Sequence, residues 1–395
     1  MRILSLSTCP LDPSLGSGKT RLRWSEGLRA LGHTVEMIEP KDFETWHGHR
    51  RGLRFRQAWG ACGLVKTKLK SGKYDLIEFF GGEFGLATWQ LSKLPTRPLI
   101  VAHTDGLEML ASQRERDYDP PITVKGHLRS TLLGPTHNWL SRAAFDHADA
   151  FVSGCELERD FVLRRKLYPS ERTAVIEPGL DKEYLSVPLT TSREDRVAFM
   201  GSWIARKGIA ILIKVMTRVL TADPKLHLDL YGSGASPDVV LSSFPMALQN
   251  RITVYPRLTS QPIADGLSKA KVFFFPTQYE GFGMALSEAM ACGCAPVTTP
   301  TGFGATLRDG EEALICDFTD TDAMERAVLS LLHNDELRER IARNAWERVR
   351  GLTWEANISK LEAIYTQWSA EHRVSQAGRG VSAGSNANAQ RGCPG

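Results

Sequence analysis

Short, mostly apolar runs recur along this chain, separated by longer stretches of helix-forming residues, and most are followed at once by a glycine or proline. Residues 2–7, 75–80, 99–102, 197–200, 226–231, 252–255 and 272–275 are such runs. In residues 272–275 the apolar residues are consecutive without a break, which predicts a strand buried on both faces, as in parallel sheets covered by helices. Between them, residues 20–31, 209–220, 284–292 and 323–332 are rich in Ala, Leu, Glu, Lys and Met and predict helices. Strand alternating with helix is the pattern of an α/β protein. A chain of 395 residues exceeds one common core, so two domains are expected.

The most informative stretch is 272–301, VFFFPTQYEGFGMALSEAMACGCAPVTTPT. An apolar strand stops at Pro276, and Gln278 to Gly283 forms a polar turn with two glycines. Met284 to Cys292 is a helix closed by Gly293, and Ala295 to Thr299 returns as a strand. Open N–H groups at the start of such a helix, together with its dipole, suit an anion such as phosphate. Glu280 lies before that helix and Glu288 about one to two turns inside it, so the two do not share a face. Each is expected to meet a different part of one ligand, although an ordinary strand-to-helix turn with two solvated glutamates has the same spacing.

Glu280-Gly-Phe-Gly-Met-Ala-Leu-Ser-Glu288, followed by Ala-Met-Ala-Cys-Gly, resembles the Glu-x7-Glu signature of the family-4 retaining glycosyltransferases of GT-B fold. The resemblance runs over roughly residues 1–370 and is stronger in the second half. It implies two Rossmann-like domains with parallel sheets facing an inter-domain cleft. By that comparison, residues 1–184 form an acceptor-side domain and 185–352 a nucleotide-sugar-binding domain. Residues 353–373 form a helix crossing back to the first domain, and 374–395, rich in Gly, Ser, Ala and Asn, are expected to be disordered.

The implied reaction moves a sugar from a UDP- or GDP-sugar to an acceptor hydroxyl, with no metal and no other cofactor. Donor contacts are expected from Gly16 and Gly18 after the first strand, Gly201, Ser202 and Lys207 after the strand at 197–200, and Gly232. The central stretch adds Gly281, Phe282, Gly283, Met284, Ala285 and Glu288. The family usually has Arg where Ser202 stands, so Arg206 is expected to supply that charge beside Lys207. Glu280 would meet the donor sugar and Glu288 the ribose. Matching the family's His-Gly-x-Glu stretch to Gly106 and Glu108 puts Asp105 at the histidine position, with His103 two residues earlier. Either side chain would then contact sugar, or both would cap the following helix. A sugar-nucleotide epimerase, or a non-catalytic sugar-nucleotide-binding protein, is the alternative.

Composition narrows the partners. Net charge is +4 and all of it comes from the first half. Arg50, Arg51, Arg54, Arg56, Lys66, Lys68, Lys70 and Lys73 occur within 50–73 without an acid, alongside Phe55 and Trp59. That mixture suits an anionic membrane surface or a lipid-linked acceptor, and equally a solvated basic helix. Balanced charge elsewhere argues against nucleic acid. No apolar run approaches a membrane span, and the seven cysteines show no paired C-x-x-C, so a cytoplasmic protein with peripheral membrane contact is expected. Gly16-Ser-Gly-Lys-Thr20 suggests a phosphate-wrapping loop, but Pro13 replaces its first glycine. Asp320-Thr-Asp322 is expected to cap a helix rather than hold a metal.

Overall fold

A computed structural model describes residues 1–44, 52–118, 139 and 142–389. The strands gather into two six-stranded, all-parallel sheets. The first is ordered β2-β1-β3-β4-β5-β6 and comprises Arg2–Ser7 (β1), Thr34–Ile38 (β2), Leu76–Phe80 (β3), Leu99–His103 (β4), Ala150–Ser153 (β5) and Thr173–Val175 (β6). The second is ordered β12-β11-β10-β7-β8-β9. It comprises Glu194–Met200 (β7), His227–Tyr231 (β8), Ile252–Val254 (β9), Ala270–Phe275 (β10), Ala295–Thr298 (β11) and Leu314–Ile315 (β12). Every residue of β3, β4 and β5 is buried, as consecutive apolar positions require when helices cover both faces.

In each sheet the strand order reverses once, between β1 and β3 and between β7 and β10. Helices leave opposite faces at such a point, so the loops after those strands diverge and open a crevice at the strand C-terminal ends. The two crevices face each other.

The helix Trp354–Ala389 joins the halves from outside. Trp354, Ile358, Leu361, Tyr365 and Trp368 lie on one stripe and are buried with Trp24, Leu28 and Phe80 of the first half. The fit to the helix Gly16–Ala30 is close: a Cβ on Gly27 would lie 2.4 Å from Ile358 Cδ1. Beyond this stripe, His372 and Gln376 both hydrogen bond to the Arg97 carbonyl. Disorder was expected from residue 374, whereas helical backbone continues through Ala389. Extending an anchored helix adds one hydrogen bond per residue without a new nucleus, which offsets the Gly and Asn content.

Leu361 is wholly buried in that stripe. Leu361→Ala should lower stability by about 2–5 kcal/mol in urea denaturation, because a cavity remains where the helix docks. A loss under about 1 kcal/mol would show that the docking contributes little.

Candidate functional site

The facing crevices enclose a cleft of about 1000 Å³. Gly16, Gly201, Ser202, Arg206, Lys207 and Gly232 line it, as do Gly281 to Ala285, Glu280 and Glu288, and on the opposite wall His103 and Asp105. Gly18 does not. A Cβ there would lie 2.3 Å from the Asp12 carbonyl oxygen, so the glycine lets the helix start pack on the 10–12 loop. Gly16 does face across, since its Cβ would lie 3.4 Å from Met284 Sδ.

On the second-domain wall, the loop after β7 and the loop after β10 interlock. Gln278 N–H donates to the Arg206 carbonyl at 2.9 Å, and Lys207 Nζ donates to both Glu280 oxygens, at 2.6 and 2.9 Å. Thr277 Oγ1 also donates to Glu280, at 2.8 Å. Arg206 makes no ion pair among the described residues. Gly283 adopts φ +97° and caps the helix Met284–Ala291, leaving the first amides of that helix directed at the cleft.

Glu288, buried on the second turn of that helix, is reached from the other domain. Lys19 Nζ lies 3.0 Å from Glu288 Oε1 and 3.2 Å from Asp181 Oδ2. Asp181 also receives Arg23, Ser260 and the Trp354 indole, at 3.0, 2.7 and 3.0 Å. The two carboxylates diverge accordingly. Burial raises the Glu288 pKa against the pull of Lys19, whereas at Asp181 burial is outweighed by Lys19, Ser260 and Trp354, and the pKa falls. Burial also opposes the Lys19 ammonium, yet its two carboxylate partners hold its pKa above the usual lysine value. Glu288 therefore shares one cation and retains accepting capacity toward the cleft.

On the first-domain wall, Asp105 pairs with the buried Arg21, whose other amino group donates to Ser7 Oγ at 2.6 Å. His103 is only 1% exposed, lies between the rings of Trp24 and Phe80, and has Nε2 2.5 Å from Tyr365 Oη. Tyr365 in turn donates to Glu78. Burial, reinforced by the Arg21 charge, pushes the His103 pKa down to about 3, so the ring is neutral. Of the two candidates for the histidine position, Asp105 is the more open, while His103 ties the cleft floor to the C-terminal helix. Neither residue caps the helix that begins at Glu108 through a described hydrogen bond.

The basic segment is partly used inside the protein. Arg50 and Arg51 lie outside the described residues. Within the helix Leu53–Ser71, Arg54 pairs with Glu83 and Glu108 on the cleft wall, Arg56 with Glu44 and Lys68 with Glu36. Phe55, Trp59, Lys66 and Lys70, spaced four, seven and four residues apart, lie on its exposed side. Asp320 caps its helix by accepting from Ala323 N–H at 2.8 Å, and Asp322 pairs with Arg218. No helix among the described residues is long and apolar enough to cross a membrane.

Two Rossmann-like sheets opposed across a charged cleft, with a C-terminal helix returning to the first, define a GT-B glycosyltransferase. Residues 182–348 match the family model for glycosyl transferases group 1, and residues 16–179 match the glycosyl transferase 4-like domain. The chain belongs to this family, the family-4 GT-B glycosyltransferases. It is 26% identical to a D-inositol 3-phosphate glycosyltransferase of Corynebacterium glutamicum, over 79% of this chain and 76% of that one. It is 28% identical to a phosphatidyl-myo-inositol mannosyltransferase of Mycolicibacterium smegmatis, over 92% and 93% respectively. Its fold matches that of the sucrose-phosphate synthase from Thermosynechococcus elongatus with a TM-score of 0.75 at 21% identity, over 94% of this chain and 100% of that one.

Sequence reasoning missed Lys19, Asp181, Arg21 and Arg257, all in or beside the cleft. Lys19 had a signal in the phosphate-loop-like Gly-Ser-Gly-Lys, but its partners lie 162 and 269 residues away in the chain. Lys19→Met should cost about 3–5 kcal/mol in urea denaturation, because two buried carboxylates lose their shared cation. Unchanged stability would show that the bridge is not formed in solution.

Proposed function

We propose that this enzyme transfers a hexose from a nucleoside diphosphate sugar to an acceptor hydroxyl, with retention at the anomeric carbon and without a metal. The observation that carries the reading is the order of groups along the second-domain wall, where the loop after β7 meets the loop and helix after β10. Glu288 stands inside the helix, Arg206, Lys207 and the helix amides at its start, and Glu280 before it. A nucleoside diphosphate sugar has the matching order: ribose hydroxyls, an anionic diphosphate, then sugar hydroxyls. Carboxylates accept from hydroxyls and cations hold phosphate.

The chemical demand is the charge that grows on the departing diphosphate. Fixed cations and amides held in place in the cleft stabilise it more than water would. Lys207 serves this purpose by exchanging one Glu280 oxygen for phosphate, which frees that oxygen for a sugar hydroxyl. Arg206 adds a second charge. Relatives named by activity are transferases, which favours transfer over epimerisation or binding alone.

A lipid-linked or otherwise anionic acceptor is favoured by the Phe55, Trp59, Lys66 and Lys70 stripe, because Arg54 ties the same helix to Glu83 and Glu108 at the cleft. Aromatic rings at the headgroup level and lysines over anionic lipid would hold the acceptor side against the membrane.

Lys207→Ala should lower kcat/KM by an amount equivalent to about 2–4 kcal/mol, whereas retained turnover would remove Lys207 from the reaction. Glu288→Ala should chiefly weaken donor binding, read as a smaller rise in melting temperature across a panel of UDP, GDP and ADP sugars. Activity should persist in EDTA. In liposome flotation, anionic vesicles should retain more protein than neutral ones, and Lys66→Glu with Lys70→Glu should abolish the difference.

A further inference from the structure

Beneath the two loops that carry Asp105 and Glu280 lies a carboxyl group with no part in the donor contacts described above. Glu158 belongs to the helix Glu156–Arg164 that follows β5 and is wholly buried. Its Oε1 accepts from the Leu107 N–H at 2.6 Å and from the Tyr279 hydroxyl. The same Leu107 N–H lies 2.6 Å from Tyr279 Oη, so one carboxyl oxygen, one phenol and one amide form a closed set. Its Oε2 is buried without a hydrogen-bond partner among the described residues.

The three partners come from three places. Glu158 is on a first-domain helix, Leu107 follows Asp105 by two residues on the first-domain wall, and Tyr279 precedes Glu280 on the donor loop. The loops also touch through their backbones. A Cβ on Gly281 would lie 2.3 Å from the Asp105 carbonyl oxygen and 2.6 Å from Gly106 N, and Gly106 itself adopts φ +148°. Such an approach has no slack, so whatever holds Tyr279 holds the spacing of the two walls.

We propose that Glu158 is a positioning residue for glycosyl transfer, which through Tyr279 and Leu107 fixes the Asp105 loop against the Glu280 loop and so aligns the acceptor wall with the donor sugar. The inference rests on the donor reading to the extent that Glu280 faces the donor. It adds a residue that meets neither substrate, and whose protonation state governs the alignment.

Burial pushes the Glu158 pKa up to about 8, with Tyr279 and the Leu107 amide lowering it and the Asp105 charge raising it. The charged and titratable groups around it are Tyr279 from the donor loop, Asp105 with its partner Arg21 from the other wall, and Cys155 and Glu156 from its own helix. The turn Gly302–Thr306, which also packs on this helix, carries none. Because the folded pKa is raised, the neutral acid holds below about 8 and is lost above it. Ionisation would bury an anion next to Asp105 with one oxygen unpaired, and the loops would separate to hydrate it.

The test is kcat and kcat/KM between about pH 6 and 9.5, beside donor binding by thermal shift, for the wild type, Glu158→Gln and Tyr279→Phe. The wild type should lose activity with an apparent pKa near 8. Glu158→Gln keeps an accepting oxygen for Leu107 and Tyr279 but cannot ionise, so activity at neutral pH should remain within about tenfold and the alkaline decline should vanish. Tyr279→Phe should lower kcat by about tenfold or more while donor affinity changes less than about twofold. An alkaline decline unchanged in Glu158→Gln, or an unchanged kcat in Tyr279→Phe, overturns the proposal. Should Glu158→Gln not fold, the kcat-against-affinity split in Tyr279→Phe decides alone. Failure of the donor reading looks different: no nucleoside diphosphate sugar would then raise the wild-type melting temperature.

Discussion

Charge is not buried alone, and this cleft is built around that constraint. The cleft holds carboxylates away from bulk water, and Glu280, Glu288 and Asp105 are each held by a cation from a different part of the chain. Glu280 is held by Lys207 from the neighbouring loop, Glu288 by Lys19 from the opposite domain, and Asp105 by the buried Arg21. These pairs keep the site folded with its charges in place. The desolvation is then met largely during folding rather than during binding.

The same pairs join the halves of the molecule. Lys19 with Glu288 and Asp181, and Tyr279 with Glu158 and Leu107, cross between the two walls at separate points. The returning C-terminal helix adds a third crossing, where Tyr365 meets His103 and Glu78. A fold in which two sheets meet only at a cleft has few apolar contacts across it, so polar links of this kind set the register of one wall on the other.

Much of the architecture was legible before any coordinates. Consecutive apolar residues such as Phe273 to Phe275 mark a strand buried on both faces, and Gly-Phe-Gly before Met284 marks a helix start. The stripe of Ile358, Leu361, Tyr365 and Trp368 marks a helix that docks. Composition describes the tail beyond residue 374 as an isolated segment, whereas in the structure it extends an anchored helix through Ala389. Gly18 packs closely on the 10–12 loop of its own domain, and in sequence such a glycine looks the same as one facing a ligand.

Taken alone, the sequence determined the elements, their parallel arrangement and the glycine loop before Met284, because strand burial, helix propensity and glycine geometry act over a few neighbouring residues. Tertiary structure alone decided which charges meet. Lys19 and Glu288 are 269 residues apart, and Tyr279 and Glu158 are 121 apart. No local pattern encodes such a pairing, since it arises only when two sheets bring their C-terminal ends face to face and place partners for the buried charges within reach.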